Sequence, residues 1–276
     1  MLQDILPNRL INAYMDLKPH AGDNIFRFDG EGKVLLGCEN GRIHFADISD
    51  LKDESTVYLF SINEKRYFLS LSETDEMKEG FEHFTIREVR DKFSEDFGLD
   101  VYAVFTAYHL WRWYADNKYC GKCGGKMTLG SKERSLNCPE CKNVIYPRIN
   151  PAVIVGVTNG DRILLTRYRQ GYKHNALVAG FTEIGETLEG TVEREVMEEA
   201  GLKVKNIRYY KSQPWGMAQD ILVGFFCDVD GDDEIHMDRD ELKYAEWVKR
   251  EDIVLQPNNL SLTNEMMKMF KEGLSL

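Results

Sequence analysis

Two short segments, Cys120-Gly-Lys-Cys123 and Cys138-Pro-Glu-Cys141, constrain this chain more than anything else in it. Each is a CxxC knuckle, and residues 124–137 between them allow one to fold back on the other. Four thiolates from two tight turns can converge on one tetrahedral Zn²⁺. Gly121, Gly124 and Gly125 supply the backbone freedom such a turn needs. With four protein ligands the coordination sphere is closed, so the expected metal is structural. The competing arrangement, two disulfides or a redox CxxC, conflicts with a cytoplasmic setting. Cys38 and Cys227 have no such partners and read as buried free thiols. A zinc knuckle alone serves binding modules as well as enzymes, so function must be sought elsewhere in the chain.

Charge narrows the search. The net charge of −11 makes the chain a poor non-specific binder of nucleic acid, whose phosphates demand clustered Lys and Arg. It suits a site that holds divalent cations, which in turn recruit phosphates. A hydrophobic share of 43% over 276 residues is enough for a sizeable core, in one large domain or two ordinary ones. No apolar run approaches the ~20 residues of a membrane-spanning helix. The start, MLQDILPNRL, lacks a basic region followed by an apolar core, so no secretory leader is expected and the expected location is the cytoplasm.

Three segments follow one another. Residues 1 to about 115 read as β-rich and then helical. Turn signals stand at Gly30–Gly32 and Asn40–Gly41, and two strands meet at Asn63–Lys65. TIREVRDKFSEDFG reads as a helix with Thr85 and Glu88 as a capping box and Gly98 as its stop. The next helix is dense in aromatics. Its Trp111 and Trp113 are candidates for base stacking, but a buried or dimer-contact face is the favoured reading. From about Ile149 the pattern becomes strand, turn at Asn159–Asp161, strand, then a glutamate-rich loop and helix, two more strands, a strand into a turn, and a C-terminal helix. The acidic run DVDGDDEIHMDRDE resembles a Ca²⁺ loop only superficially. Counted from Asp228, its sixth and twelfth positions are Asp233 and Arg239, where an EF-hand needs Gly and Glu. It reads as a solvated loop ending at Glu241.

The glutamate-rich stretch, GFTEIGETLEGTVEREVMEEAGL, carries the chemistry. On a helix, Glu195, Glu198 and Glu199 are i, i+3 and i+4 and share one face. Like charges so placed destabilise an isolated helix by roughly 0.2–0.5 kcal/mol per pair. A solvated face would interleave lysines, yet Arg194 is the one cation between Glu193 and Leu202. Carboxylate oxygens are the ligands Mg²⁺ and Mn²⁺ prefer. Gly180 and Gly185 permit a tight loop before the helix, Gly201 ends it, and Val192, Val196 and Leu202 can anchor it to a sheet. Glu183, Glu189 and Glu193 read as solvated.

Gly180, Glu186 and the run Arg194-Glu195-Val196-Met197-Glu198-Glu199-Ala200-Gly201-Leu202 fill every fixed position of the Nudix box, GX5EX7REUXEEXGU with U apolar. The chain thus resembles the Nudix hydrolases. The four-cysteine ribbon, YPR at Tyr146–Arg148 and SQPW at Ser212–Trp215 are similar to the NAD(H) pyrophosphatase branch, over about residues 85–270. The resemblance implies an α+β chain. Residues 1–115 would form a β-rich N-terminal domain with helices, 116–147 a zinc ribbon, and 148–276 the Nudix domain, a mixed sheet between helices. It implies a cytoplasmic homodimer that hydrolyses NAD(H) to nicotinamide mononucleotide and AMP with Mg²⁺ or Mn²⁺. Some relatives remove the NAD cap from the 5′ end of RNA, and that, or another nucleoside diphosphate derivative, is the alternative substrate. A non-enzymatic nucleotide sensor is the third reading, disfavoured by the intact glutamates.

Carried over by position, Glu195, Glu199 and Glu241 ligate the catalytic metal, with a backbone carbonyl from Ala179. Glu198 ligates metal or orients the attacking water. Arg194 positions carboxylates, and Glu186 ties the loop to the helix. Phe181 and Tyr146 are candidates to stack on a base, worth on the order of 1–3 kcal/mol each, and Glu133 is a candidate substrate contact. The family motif SQPWPFPxS is here Ser212-Gln213-Pro214-Trp215-Gly216-Met217-Ala218-Gln219-Asp220. Loss of two prolines and a phenylalanine predicts a freer loop with one stacking surface fewer. Asp220 brings a charge that can accept from a ribose hydroxyl or repel a phosphate. The choice among NAD⁺, NADH and NAD-capped RNA is therefore open at this point.

Overall fold

The near-continuous apolar run from Ala152 to Val157 in the carboxy-terminal half suits a strand buried on both faces. The computed structural model, which describes residues 1–39, 42–51, 55–72, 79–93, 98–169 and 174–274, forms that strand and a sheet around it. The chain divides into two compact units, Leu2–Arg148 with Gly216–Ala218, and Ile149–Trp215 with Gln219–Leu276.

In the first unit, β1 (Leu10–Ile11), β2 (Asn24–Phe26), β3 (Val34–Glu39), β4 (Arg42–His44), β5 (Thr56–Ile62), β6 (Lys65–Ser70) and β7 (Phe81–Phe84) form two sheets, ordered β1-β5-β6-β2 and β4-β3-β7. The β5–β6 turn falls at Asn63, whose φ of 53° an asparagine tolerates. The Asn40–Gly41 turn signal lies outside the described residues. Helix α1 (Ile86–Phe93) starts on the expected capping box: Thr85 N donates to Glu88 Oε2 at 2.8 Å and Glu88 N to Thr85 Oγ1 at 3.2 Å. Residues 94–97 of the expected helix lie outside the described residues, and Gly98, expected as its stop, is itself helical, in α2 (Gly98–Asp116). Trp113 is buried, and Trp111 stacks on Phe28 with ring centroids 4.9 Å apart. Both therefore pack within the unit.

The ribbon follows as β8 (Thr128–Leu129), β9 (Leu136–Asn137) and β10 (Val144–Ile145), an antiparallel sheet ordered β10-β9-β8. Its loop sends Arg134 into the β-rich region, where the guanidinium donates to Asn12 Oδ1 at 2.8 Å and to the Leu59 carbonyl.

The second unit holds a six-stranded mixed sheet. Its strands are β11 (Asn150–Asn159), β12 (Arg162–Tyr168), β13 (Val178–Phe181), β14 (Val204–Trp215), β15 (Asp220–Val229) and β16 (Leu242–Lys249). The order is β14-β15-β11-β12-β16, with β13 also on β11; the β11–β15 pair is parallel and the rest antiparallel. Helix α3 (Leu188–Ala200) lays Val192, Val196 and Ala200 on Val153, Val155 and Val157. Helix α4 (Leu262–Lys271) lays Leu262, Met266, Met267 and Phe270 on Ile154, Ile163 and Leu165 on the other face. Burying one such aliphatic side chain contributes about 1.5–3 kcal/mol, so each helix is fixed to the sheet along its apolar stripe. This α+β sheet between helices is the expected fold. Among the described residues no helix is long and apolar enough to cross a membrane.

Candidate active site

Helix α3 is held at both ends. Thr187 Oγ1 accepts from Gly190 N at 3.0 Å, and Gly201 closes the helix at φ 68°. The acidic run after β15 is not simply solvated as expected. His236 N donates to the Ala200 carbonyl at 2.9 Å and Asp238 N to the Glu199 carbonyl at 3.0 Å. The loop thus satisfies carbonyls that the end of a helix leaves open, and it delivers Glu241 to this end of α3.

The glutamates on α3 differ in exposure. Glu199 is 2% exposed, whereas the side chains of Glu195 and Glu198 are 12% and 58% exposed. Strand β13 passes under the helix so closely that a Cβ on Gly180 would fall 1.9 Å from the Glu195 carboxyl carbon. Arg194 fans out over the loop and helix. Its Nε and Nη2 hold both oxygens of Glu186 at 2.6 and 2.9 Å, and Nη2 also donates to the Phe181 carbonyl at 2.9 Å. Its Nη1 donates to Glu195 at 2.7 Å and to Glu198 at 2.9 Å. The Arg194 hydrogen bonds, joined by those from the Glu183 N–H and the Thr191 hydroxyl, hold the Glu186 carboxyl down at about 2.

Glu199 is the unusual group. Its Oε1 accepts from the Tyr168 hydroxyl at 3.1 Å, and its buried Oε2 has no hydrogen-bond partner. Burial pushes this carboxyl up to about 8; the Tyr168 hydrogen bond and, more weakly, one from the Ala179 backbone oppose the shift, and the charges of Glu195 and Glu241 add to it. Burial also raises Glu195, against the pull of Arg194. A buried carboxylate oxygen without a donor is costly, and a hard cation is the partner its chemistry fits. Glu241 is exposed at the entry to β16, with its carbonyl accepting from Arg169 N at 3.0 Å. The Ala179 carbonyl faces the Tyr168 hydroxyl at 3.4 Å. Tyr168 is the residue that sequence reasoning missed here. No motif position signals it, because its place depends on a β-bulge.

In the ribbon, the Cys120 and Cys141 sulfurs are 3.6 Å apart and those of Cys123 and Cys138 3.4 Å. All four are free cysteines with Sγ atoms within 4.8 Å of one another, the tightest such metal-ligand group among the described residues. On α3, Arg194 holds Glu195 and Glu198, and Tyr168 holds Glu199. The thiols are coupled: backbone hydrogen bonds, that of Lys122 foremost, lower Cys120, while Cys123, hydrogen-bonded to the other thiols, is raised. Of the three knuckle glycines only Gly124 has a positive φ, 76°, and the second knuckle makes its turn with Lys142 at φ 62°.

The predicted substrate residues fall into separate groups. Phe181 is 53% exposed at the end of β13. Tyr146 and Glu133 are brought together, the Tyr146 hydroxyl donating to Glu133 Oε1 at 2.9 Å. Gln213 is fully buried, with Nε2 donating to the Leu260 carbonyl at 2.7 Å and Oε1 accepting from Leu262 N at 2.6 Å. Those bonds fix the start of α4. Pro214 and Ala218 are exposed, and Trp215, Met217 and Gln219 half-buried. The turn is not freer for its lost prolines, as expected from the sequence. A Cβ on Gly216 would lie 2.1 Å from the Phe105 carbonyl oxygen, so this turn packs directly on the backbone of α2. Asp220 is 5% exposed, with Asn150 Nδ2 3.5 Å away, and burial pushes its carboxyl up to about 6.

Comparison with known proteins agrees with this geometry. Residues 148–270 match the family described as NUDIX domain, and residues 115–146 the NADH pyrophosphatase zinc ribbon domain. Similar curated proteins include the NAD-capped RNA hydrolase NudC of Klebsiella pneumoniae, 43% identical over 63% of this chain and 66% of that one. The protein of the same name from Escherichia coli O1:K1 is 44% identical over 61% of this chain and 65% of that one. The chain therefore spans about two thirds, 65–66%, of the length of these relatives. Among solved structures, a NUDIX hydrolase from Nitrosomonas europaea aligns with a TM-score of 0.50 and 22% identity, over 57% of this chain and 92% of that one, a likeness of fold. By its α3 box, its sheet between helices and the four-cysteine unit that precedes them in sequence, the chain carries a Nudix domain and a zinc ribbon of the NADH pyrophosphatase kind.

Proposed function

We propose that this chain is a cytoplasmic enzyme that hydrolyses the pyrophosphate bond of NAD(H), giving nicotinamide mononucleotide and AMP. The observation that carries this reading is the buried Glu199, with one oxygen held by Tyr168 and the other without a donor, beside Glu195 on a complete Nudix helix. Similarity to proteins named NAD-capped RNA hydrolase supports a substrate built on NAD.

In this proposal Glu195, Glu199, Glu241 and the Ala179 carbonyl hold Mg²⁺ or Mn²⁺. When bound, such a cation neutralises the phosphate oxygens and acidifies a water. Glu198, the most exposed of the three helix carboxylates, orients the attacking water. Arg194 keeps Glu195 and Glu198 from turning away, and Glu186 anchors Arg194 in return. Phe181 stacks on a base; Tyr146 and Glu133, with Trp215 to Asp220, contribute substrate contacts; the protein acts as a homodimer. The domain division 1–115, 116–147 and 148–276 is part of the same proposal.

A second reading makes the NAD-capped 5′ end of RNA the main substrate, and the names of the relatives favour it. The net charge of −11 limits recognition to the cap rather than a long RNA tract. The test of the shared chemistry is Glu199→Gln in zinc-loaded protein with Mn²⁺ and NADH. Loss of kcat by on the order of 10² or more is expected for a lost ligand and its charge. A rise in KM alone would refute the assignment of Glu199.

A further inference from the structure

Tyr168 stands where three segments of the proposed metal site meet. It is the last residue of β12, and the register to β16 slips there: Arg167 pairs with Tyr244, but Tyr168 pairs with Leu242. Lys243 is skipped, which is a bulge, and a bulge turns a side chain that regular pairing would aim elsewhere. The phenol lies on the α3 face of the sheet. Its oxygen is 3.1 Å from Glu199 Oε1 on α3 and 3.4 Å from the Ala179 carbonyl on β13. Its backbone partner Leu242 directly follows Glu241, and the next residue, Arg169, donates its N–H to the Glu241 carbonyl at 3.0 Å.

A single hydroxyl carries one proton. Donated to Glu199, it fixes Oε1 and leaves Oε2 as the oxygen without a donor. Without it the carboxylate, 2% exposed, would keep only the weaker hold of the Ala179 backbone and could turn about its last torsion, which is broad and roughly two-fold. We infer that Tyr168 is a positioning residue of the metal site, setting the rotation of Glu199 through its hydroxyl and the placement of Glu241 through the β12–β16 bulge. This rests on the proposed role of Glu199 as a ligand. A partner behind a metal-ligating side chain typically contributes 10–100-fold to metal affinity.

The test uses the full chain with its zinc in place and reads Mn²⁺ binding by calorimetry, which requires no turnover. Tyr168→Phe removes the hydroxyl and keeps the ring. The expected result is Mn²⁺ affinity weakened about 10-fold or more, with KM for NADH at saturating Mn²⁺ unchanged. Glu199→Gln in parallel should abolish tight binding. If Tyr168→Phe binds Mn²⁺ as the unaltered protein does while Glu199→Gln loses it, the inference about Tyr168 is overturned and the reading of Glu199 stands. If Glu199→Gln keeps full Mn²⁺ affinity, that reading falls and takes the role of Tyr168 with it.

Discussion

Gly180 lies beneath Glu195 with no room for a side chain: a Cβ on it would fall 1.9 Å from the carboxyl carbon and 2.0 Å from Oε1. The fixed glycine of the box therefore answers a contact between strand and helix rather than a turn. Replacing Gly180 with alanine should drive Glu195 off the strand. The expected outcome is a kcat reduced by on the order of 10² as a proposed ligand is displaced, with the helix still anchored by Val192 and Val196. Activity measured beside circular dichroism checks this, and an active, folded Gly180→Ala would show that the strand can move aside.

Gly216 meets a similar limit, against backbone rather than a side chain. The Phe105 carbonyl oxygen would be 2.1 Å from an added Cβ, and a helix carbonyl cannot swing away. Gly216→Ala should cost about 1–3 kcal/mol, as overpacking does, and Gly216→Pro at least as much. Denaturant unfolding measures it. An unchanged midpoint would mean the turn lifts off α2 at no cost.

Asp220 predicts a dependence on pH. Burial places its carboxyl at about 6 in the folded chain, above the ordinary 3.8. The folded state therefore favours the protonated form. Its contribution to stability is complete only below pH 3.8, is lost as pH rises from there through about 6, and stays lost above. Asp220→Asn, which is neutral throughout, should raise the melting temperature at pH 8 and change it little at pH 4. A larger gain at pH 4 than at pH 8 would reverse the assignment.

What the sequence made legible is what repeats at fixed spacing. The cysteine knuckles, the Thr85–Glu88 box and the α3 glutamates are local patterns, and each lies where its spacing places it. The run from Val153 to Val157 was legible as a strand, and α3 and α4 cover its two faces. Contacts set by register between distant strands were not legible. Tyr168 reaches Glu199 only because the β12–β16 pairing skips Lys243. Gly98 is helical although glycine more often follows a helix, and the hydrogen bonds of Gln213 depend on where α4 starts. The acidic loop from Asp228 reads as solvent-facing by composition, yet its backbone caps α3. Composition carries no signal for such a role, because the donors are main-chain N–H groups.

The central claim is that the bond broken lies between the two phosphates of an NAD-type dinucleotide. Its most direct test is product identification by chromatography after zinc-loaded protein is incubated with NADH and Mn²⁺. The account predicts AMP and reduced nicotinamide mononucleotide in equal amounts, formed on the order of 10²-fold or more slowly by Glu199→Gln under the same conditions. Intact NADH, or release of free nicotinamide with ADP-ribose, would contradict it.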